Sequence, residues 1–189
     1  MKPNLLPTVG LVSLLTLSAC CQDNTFSDSQ GNVYRAALIG QQEWMTGNLL
    51  LDVGEGCYCY QDDPQLCDEM GRLYTWSAAR EAARRVAGWH LPSREEWKEL
   101  IAHCGEDTLG YQNIVSDAIG FHPQWSGVRI STGAFKAREL KTVNYWSSST
   151  ADTNSTLAYS VAIMSNLRNI SPHNYPKANA CSVRLVKDD

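Results

Sequence analysis

With 189 residues and a formal net charge of −4, the chain is long enough for one domain with a substantial core. Sixteen Lys and Arg face twenty Asp and Glu, and no basic run stands anywhere, which excludes a general nucleic-acid binder. Six Trp and eight Tyr outnumber three Phe, so the rings suit half-buried sites with an apolar body and a polar tip.

Lys2 gives a weakly basic start, an apolar run follows from Leu5 to Leu17, and Leu17-Ser18-Ala19-Cys20 has the form of a lipobox. The run is too short, and too broken by Pro7, to span a bilayer as a stable helix. Residues 1–19 are therefore expected to be a lipoprotein signal peptide, cut before Cys20, whose thiol is lipidated. Acyl chains contribute about 0.8 kcal/mol per buried methylene, so several of them anchor a protein firmly to a membrane. Cys21 and Gln22 lack the Asp that signals inner-membrane retention in enteric bacteria, which points to the outer membrane. Residues 20–30 are small and polar and are expected to form a flexible tether, with the folded domain over 31–189.

Export permits disulfides. Cys67 is expected to pair with Cys59 or Cys57, and Cys104 with Cys181, while Cys21 beside the lipid is left free. The long Cys104–Cys181 loop would contribute roughly 4 kcal/mol in the chain-entropy picture.

Asp28 to Asn32 reads as a turn, Val33 to Gly40 as a strand, and Gln41 to Met45 as its hairpin partner with Gly40 at the turn. From Gly54 to Gly71, three Cys with Asp62, Asp63 and Pro64 predict an irregular, stapled loop. Trp76, Ala79, Ala83 and Val86 share one face of a helix that Gly88 ends. Trp89-His90-Leu91 reads as a short buried strand. Ser93 and Glu96 then form a capping box for a helix whose apolar stripe is Trp97, Leu100, Ile101 and Cys104, stopped by Gly105. A short helix is expected over Asn113–Ile119. Tyr145-Trp146, Tyr159 to Ile163 and Ser182 to Val186 read as antiparallel strands joined by long polar loops. Helices early and strands late define an α+β class.

Several phrases stand in order along the chain: Gly31-Asn32-Val33-Tyr34, Trp44-Met45-Thr46-Gly47-Asn48-Leu49 and Gly71-Arg72-Leu73-Tyr74-Thr75-Trp76-Ser77. They continue with Gly88-Trp89-His90-Leu91-Pro92-Ser93, Tyr145-Trp146-Ser147-Ser148-Ser149 and Ser182-Val183-Arg184-Leu185-Val186. Together they resemble the Fibrobacter succinogenes major paralogous domain family, a group of exported, often lipid-anchored bacterial proteins. That family looks like a branch of the C-type-lectin-like fold, akin to the formylglycine-generating enzyme and to variable proteins of diversity-generating retroelements. The resemblance implies two helices packed on a twisted antiparallel sheet, with C-terminal strands and loops displaying a binding face. It also implies a bridge between a Cys before the Gly-Trp phrase and one inside the Val-Arg phrase. This chain has Val86-Ala87 and Leu185 there, and Cys104 with Cys181 is the expected replacement.

Catalysis finds little support, since the chain has no nucleophile elbow, phosphate loop or zincin motif. The formylglycine generators use a late cysteine pair, and here Cys181 alone lies late, so that activity is a lesser alternative. His90, His103, His122 and His173 are scattered. Cys57, Cys59 and Cys67 lack a clear fourth zinc ligand, and Asp62, Asp63, Asp68 and Glu69 read as a solvated acidic loop rather than a calcium site. No metal and no cofactor is expected.

Six of eleven Asn fall between Asn144 and Cys181, a composition that suits adaptable recognition loops. Lys, Glu, Gln and Trp are absent from Ala151 to Pro176, as adenine-directed diversification of Asn-type codons would require, although Met164 departs from that pattern. The expected function is capture of a protein or glycan at the cell surface, with a ligand-free structural lipoprotein as the alternative. The expected contact residues are Tyr145, Asn154, Tyr159, Asn166, Arg168, Asn169, His173, Asn174 and Tyr175. Trp76, Trp89, Trp97, Trp125, Trp146 and Arg184 read as scaffold.

Overall fold

The computed structural model describes residues 24–105, 107–152 and 155–188. The expected signal peptide, the lipid site Cys20 and the expected contact residue Asn154 lie outside the described residues. No described helix is long and apolar enough to cross a membrane.

The chain opens with β1 (Thr25–Ser27), β2 (Val33–Ile39) and β3 (Gln42–Met45). The β2–β3 hairpin closes at Ile39↔Gln42, around Gly40, as the sequence predicts. β1 pairs with β2 inside the stretch expected to be tether, so the fold begins earlier than residue 31. Its reason is Phe26, which stacks on Trp89 at 4.0 Å between ring centroids and lies 5.3 Å from Tyr34. Asp28 builds the turn that follows. Its carboxylate accepts from the amides of Gln30 and Asn32 and from the Tyr34 hydroxyl at 2.6 Å.

β4 (Cys57–Tyr58) and a 3-10 turn lead to α1 (Pro64–Met70). This helix falls in the stretch expected to be irregular. Its start is coded by Asp63, whose side chain accepts from Gln65 N at 3.0 Å, and by Pro64 in the first turn. β5 (Leu73–Thr75) runs into α2 (Trp76–Arg84), which buries Ala78, Ala79, Ala82 and Ala83. The helix stops before Val86, and Gly88 follows at φ 78° in the turn to β6 (Trp89–His90). α3 (Arg94–Cys104) carries the expected capping box of Ser93 and Glu96. α4 (Asp107–Ile114) lies earlier than the helix expected over Asn113–Ile119. Asn113 instead caps the end of α3, donating from Nδ2 to Cys104 O at 2.7 Å.

β7 (Val128–Arg129) and β8 (Phe135–Lys136) form a small hairpin. Then come β9 (Thr142–Thr150), β10 (Leu157–Met164), β11 (Asn169–Pro176), β12 (Ala180–Cys181) and β13 (Val186–Lys187). The sheets have the orders β1-β2-β3-β13-β6, β4-β5-β12-β7-β8 and β11-β10-β9, with antiparallel neighbours throughout. The described residues thus give an α+β domain with four helices rather than the expected two.

One core cluster gathers Leu49, Leu51, Tyr74, the α2 alanines, Trp146 and Leu185. A second lies under α3 and α4 and holds Trp44, Trp97, Phe121, Tyr145, Val161 and Ile163. Cys59 and Cys67 form a disulfide, one of the two pairings left open for Cys67. The expected Cys104–Cys181 bridge does not form. Both thiols are free and buried, Cys104 in the second cluster and Cys181 in the first. Cys57 is also free. Val86 and Leu185, standing where the resemblance implies a bridge, are buried together in the first cluster, so apolar packing fills that place.

Candidate functional site beside Trp125

Arg184 is fully buried and has no carboxylate beside it. Burial pulls its guanidinium below the ordinary Arg value, a shift opposed by Tyr145, yet a guanidinium stays charged in a protein. Its charge is met by oxygens and rings. Nε donates to Asn48 Oδ1 at 2.8 Å, Nη1 donates to the carbonyls of Met45 and Phe121, and Nη2 donates to His122 O at 2.8 Å. The rings of Phe121 and Tyr145 stand 4.6 and 5.5 Å from its central carbon.

Two of those carbonyls open the loop 121–127, so Arg184 pins that loop to the core. Further along it, Gln124 Oε1 accepts from Asn48 N at 2.6 Å and Gln124 Nε2 donates to Glu69 O at 3.1 Å. The hydroxyls of Ser126 and Ser182 bond at 2.7 Å in the interior. Gly127, at φ 65°, crosses the chain after β8 so closely that a Cβ would lie 2.4 Å from Lys136 O. Trp125 is carried on this fixed loop, half-buried.

The second element of the site is the segment between β8 and β9. Lys141 N donates to Arg138 O at 2.8 Å and Thr142 N to Ala137 O at 3.2 Å, closing a tight loop. Arg138 Nε approaches Met70 Sδ at 3.3 Å, and its guanidinium lies 5.7 Å from the Tyr60 ring. Tyr60 donates to Glu139 Oε1 at 3.2 Å. Its phenol is pushed above its ordinary value, first by burial and then by the Glu139 charge. The β10–β11 turn is tied to this segment by Ser165 N donating to Lys141 O at 3.0 Å.

The 121–127 loop, the segment between β8 and β9 and the end of α1 line a cleft of about 580 Å³. Met70, Pro123 and Trp125 supply its apolar lining, and Glu69, Arg138, Glu139 and Lys141 its charged lining. Three of the six described non-glycine residues with positive φ belong to the two loops that line it: His122 (49°), Ala137 (69°) and Lys141 (49°). The left-handed conformation costs roughly 1–2 kcal/mol for a residue with a Cβ. Such strain persists only where surrounding structure over-determines it, and it concentrates at functional sites. A second cleft of similar volume lies between Thr75, Glu81 and Lys177. There Lys177 is already engaged, donating to Ser155 O at 2.7 Å and standing 4.4 Å from the Trp76 ring.

The structure scatters the expected contact residues. Tyr145 belongs to the core rather than to a surface, because its side chain points toward α3, stacks 5.7 Å from Trp97 and donates to Asn48 Oδ1. Tyr159 is buried in the same cluster, with Arg94 5.2 Å from its ring. Asn166 and Arg168 are exposed in the β10–β11 turn, and Asn169 is half-buried at the start of β11. His173 faces inward. Its Nδ1 lies 2.9 Å from Ser171 O, and its Nε2 lies 3.3 Å from Ser160 Oγ and 3.4 Å from Asn144 Nδ2. That network assigns the proton to Nδ1. Asn174 is exposed on β11, and Tyr175 packs 5.4 Å from His173 and 6.0 Å from Trp146.

Trp97 and Trp146 are fully buried and Trp89 nearly so, as scaffold residues should be. Trp125 lines the cleft instead. Arg138 and Lys141 carry no signal in the sequence beyond their charge, and the Pro123–Gly127 loop offered only apolar points between glycines. Cys57, Cys104 and Cys181 all have thiols raised by burial, Cys104 to about 11, so none is primed as a nucleophile at neutral pH. Among the described residues, no group of three or more His, Cys, Asp or Glu side chains is placed to hold a metal ion.

Four helices and three antiparallel sheets, with a loop-framed cleft beside Trp125, define an α+β domain among the described residues. The family model of the Fibrobacter succinogenes major domain matches residues 38–187, and the chain belongs to that family. No curated protein and no solved structure gives a significant match.

Proposed function

We propose that this protein is a lipid-anchored binding protein of the bacterial envelope, with a C-type-lectin-like fold, that captures a protein or glycan ligand at the cell surface. The lipobox at Leu17–Cys20 supports the anchor, and the lack of Asp at Cys21 and Gln22 supports the outer membrane as its location. The observation that carries the binding reading is the Trp125 cleft, a concave site with mixed apolar and polar lining, framed by strained loops and mounted on buried Arg184. Asn166 and Arg168 are exposed on the β10–β11 turn, outside the lining of the cleft, and would offer a separate contact. A diversified form of this protein would vary at Asn166, Arg168, Asn169 and Asn174 and keep β10 fixed.

The test uses full-length protein extracted in detergent. It is applied to an array of bacterial and host surface proteins and an array of glycans, beside a Trp125→Ala/Arg168→Ala variant. Saturable binding that the variant loses, with its melting temperature kept, is the expected result. Equal binding by both proteins, or binding by neither, overturns the reading. Mass spectrometry of the mature N-terminal peptide is expected to show acylated Cys20, and a free Cys20 thiol overturns the anchor.

A further inference from the structure

The Trp125 cleft carries more chemistry than the general reading of a binding site uses. Its four charged lining residues are two acids and two bases, Glu69 and Glu139 against Arg138 and Lys141, so the cleft presents no net charge. That balance suits neither a polyanion nor a polycation. Among the described residues, the side chains of Glu69 and Lys141 make no hydrogen bond or ion pair, and both are exposed. The cleft therefore offers unspent acceptors and unspent donors side by side.

Several backbone donors around the cleft, by contrast, are already engaged. Gly127 N donates to Thr142 O, Lys141 N to Arg138 O, Thr142 N to Ala137 O, and Ser165 N to Lys141 O. An extended peptide docking by strand addition needs a free row of backbone donors and acceptors. These four donors are not available to one. What remains is a large flat ring on a rigid loop, with carboxylates and cations around it. Hydroxyl groups, which donate and accept at once, match such a set. The apolar C–H face of a sugar ring matches the indole.

We propose that this cleft binds a neutral carbohydrate, with one pyranose ring laid against Trp125 and its hydroxyls shared between Glu69 or Glu139 as acceptors and Arg138 or Lys141 as donors. The assignment rests on the proposed binding function and names its ligand class. Arg184 is a positioning residue here. It touches no ligand and fixes the two carbonyls at Phe121 and His122 from which the Trp125 loop departs.

The experiment applies full-length protein in detergent to an array of neutral and acidic oligosaccharides and, in parallel, to a peptide array, with hits measured by calorimetry. Binding of at least one neutral oligosaccharide is expected, weakened at least about tenfold by Trp125→Ala and substantially retained by Trp125→Phe. Lys141→Glu changes only an exposed side chain and is expected to weaken the same binding, so the proposal stays open to refutation if the alanine variant unfolds. Absence of any neutral oligosaccharide hit, or a hit that Trp125→Ala and Lys141→Glu leave unchanged, overturns it. Peptide binding lost in Trp125→Ala would sink the carbohydrate assignment while the general binding reading stood. If neither variant altered any binding on either array, both would fall.

Discussion

Strands β10 and β11 run side by side and pair from Leu157↔Pro176 to Met164↔Asn169. In β10 every residue from Ala158 to Ile163 is buried, with Tyr159, Val161 and Ile163 in the cluster under α3 and α4. In β11, which pairs on one side only, Pro172, Asn174 and Pro176 are exposed. The prolines mark the difference, since proline cannot donate to a ladder and is tolerated at an edge. Polar composition does not mark it. Ser160 is fully buried and Asn144 nearly so, and both are held by His173 from the edge strand. One run of Asn, Ser and Tyr thus contains both the wall of a core and the margin of a surface.

The largest loss is expected outside this pair, at the buried guanidinium that pins the 121–127 loop to the core. Arg184→Met should cost about 3–5 kcal/mol, because it strands the buried oxygens of Asn48, Met45, Phe121 and His122. Chemical denaturation measures it, and a loss below about 1 kcal/mol would show that water replaces the guanidinium. Within the sheet itself, Val161→Ala should cost about 2 kcal/mol, whereas Asn174→Ala should stay within about 0.5 kcal/mol. Equal losses at the two positions would erase the distinction between β10 and β11.

Alkali should act on the buried thiols and phenols. Burial pushes the Cys104 thiol up to about 11, and it raises Tyr145 and Tyr74 as well. An unfolded thiol ionises near 8.5–9. The folded state keeps its proton longer, so this stabilising contribution is complete below that unfolded value. It is lost as pH rises toward about 11. Denaturation midpoints measured from pH 8 upward should fall, and Cys104→Ala should flatten part of that slope. A smaller effect is expected at His90, whose ring nitrogens lie 2.7 Å from Glu96 and 2.7 Å from Asp188. Burial alone would lower its value, but the two carboxylates outweigh it and raise the ring above its usual range. The associated stability is present below about pH 6.5 and declines as pH rises through the folded value. His90→Gln should remove that decline from a pH series of melting curves.

The helix α3 was legible because apolar period, cap and stop agreed on it, the hairpin β2–β3 because alternation broke at Gly40, and α2 because its apolar face repeats at helical spacing. α1 was hidden by its Cys and Asp content although Asp63-Pro64 is a helix start. β11 was hidden by its own prolines, and β1 by polar neighbours that gave no sign of Phe26 stacking on Trp89. The class α+β could be read from the order of elements, but the division into three sheets could not, since strands of two residues such as β12 and β13 carry no periodicity. The cleft was less legible still. Glu69, Trp125 and Arg138 stand apart in the chain, and left-handed backbone at Ala137 and Lys141 has no signature in residue type. Asn166 and Arg168, expected as contacts, are exposed on the β10–β11 turn and lie outside the lining of the cleft. Tyr145 and Tyr159 misled because a tyrosine in a strand looks the same whichever way it faces.

The loop that Arg184 holds lies some sixty residues earlier in the chain. A chain still emerging from its ribosome therefore possesses Trp125 long before it can hold that ring in place. The same is true of β13, which sits between β3 and β6 and closes their sheet. Maturation of the cleft in this sense waits for Arg184. A fragment released early would carry the ring and the charged loop and still lack the organised site.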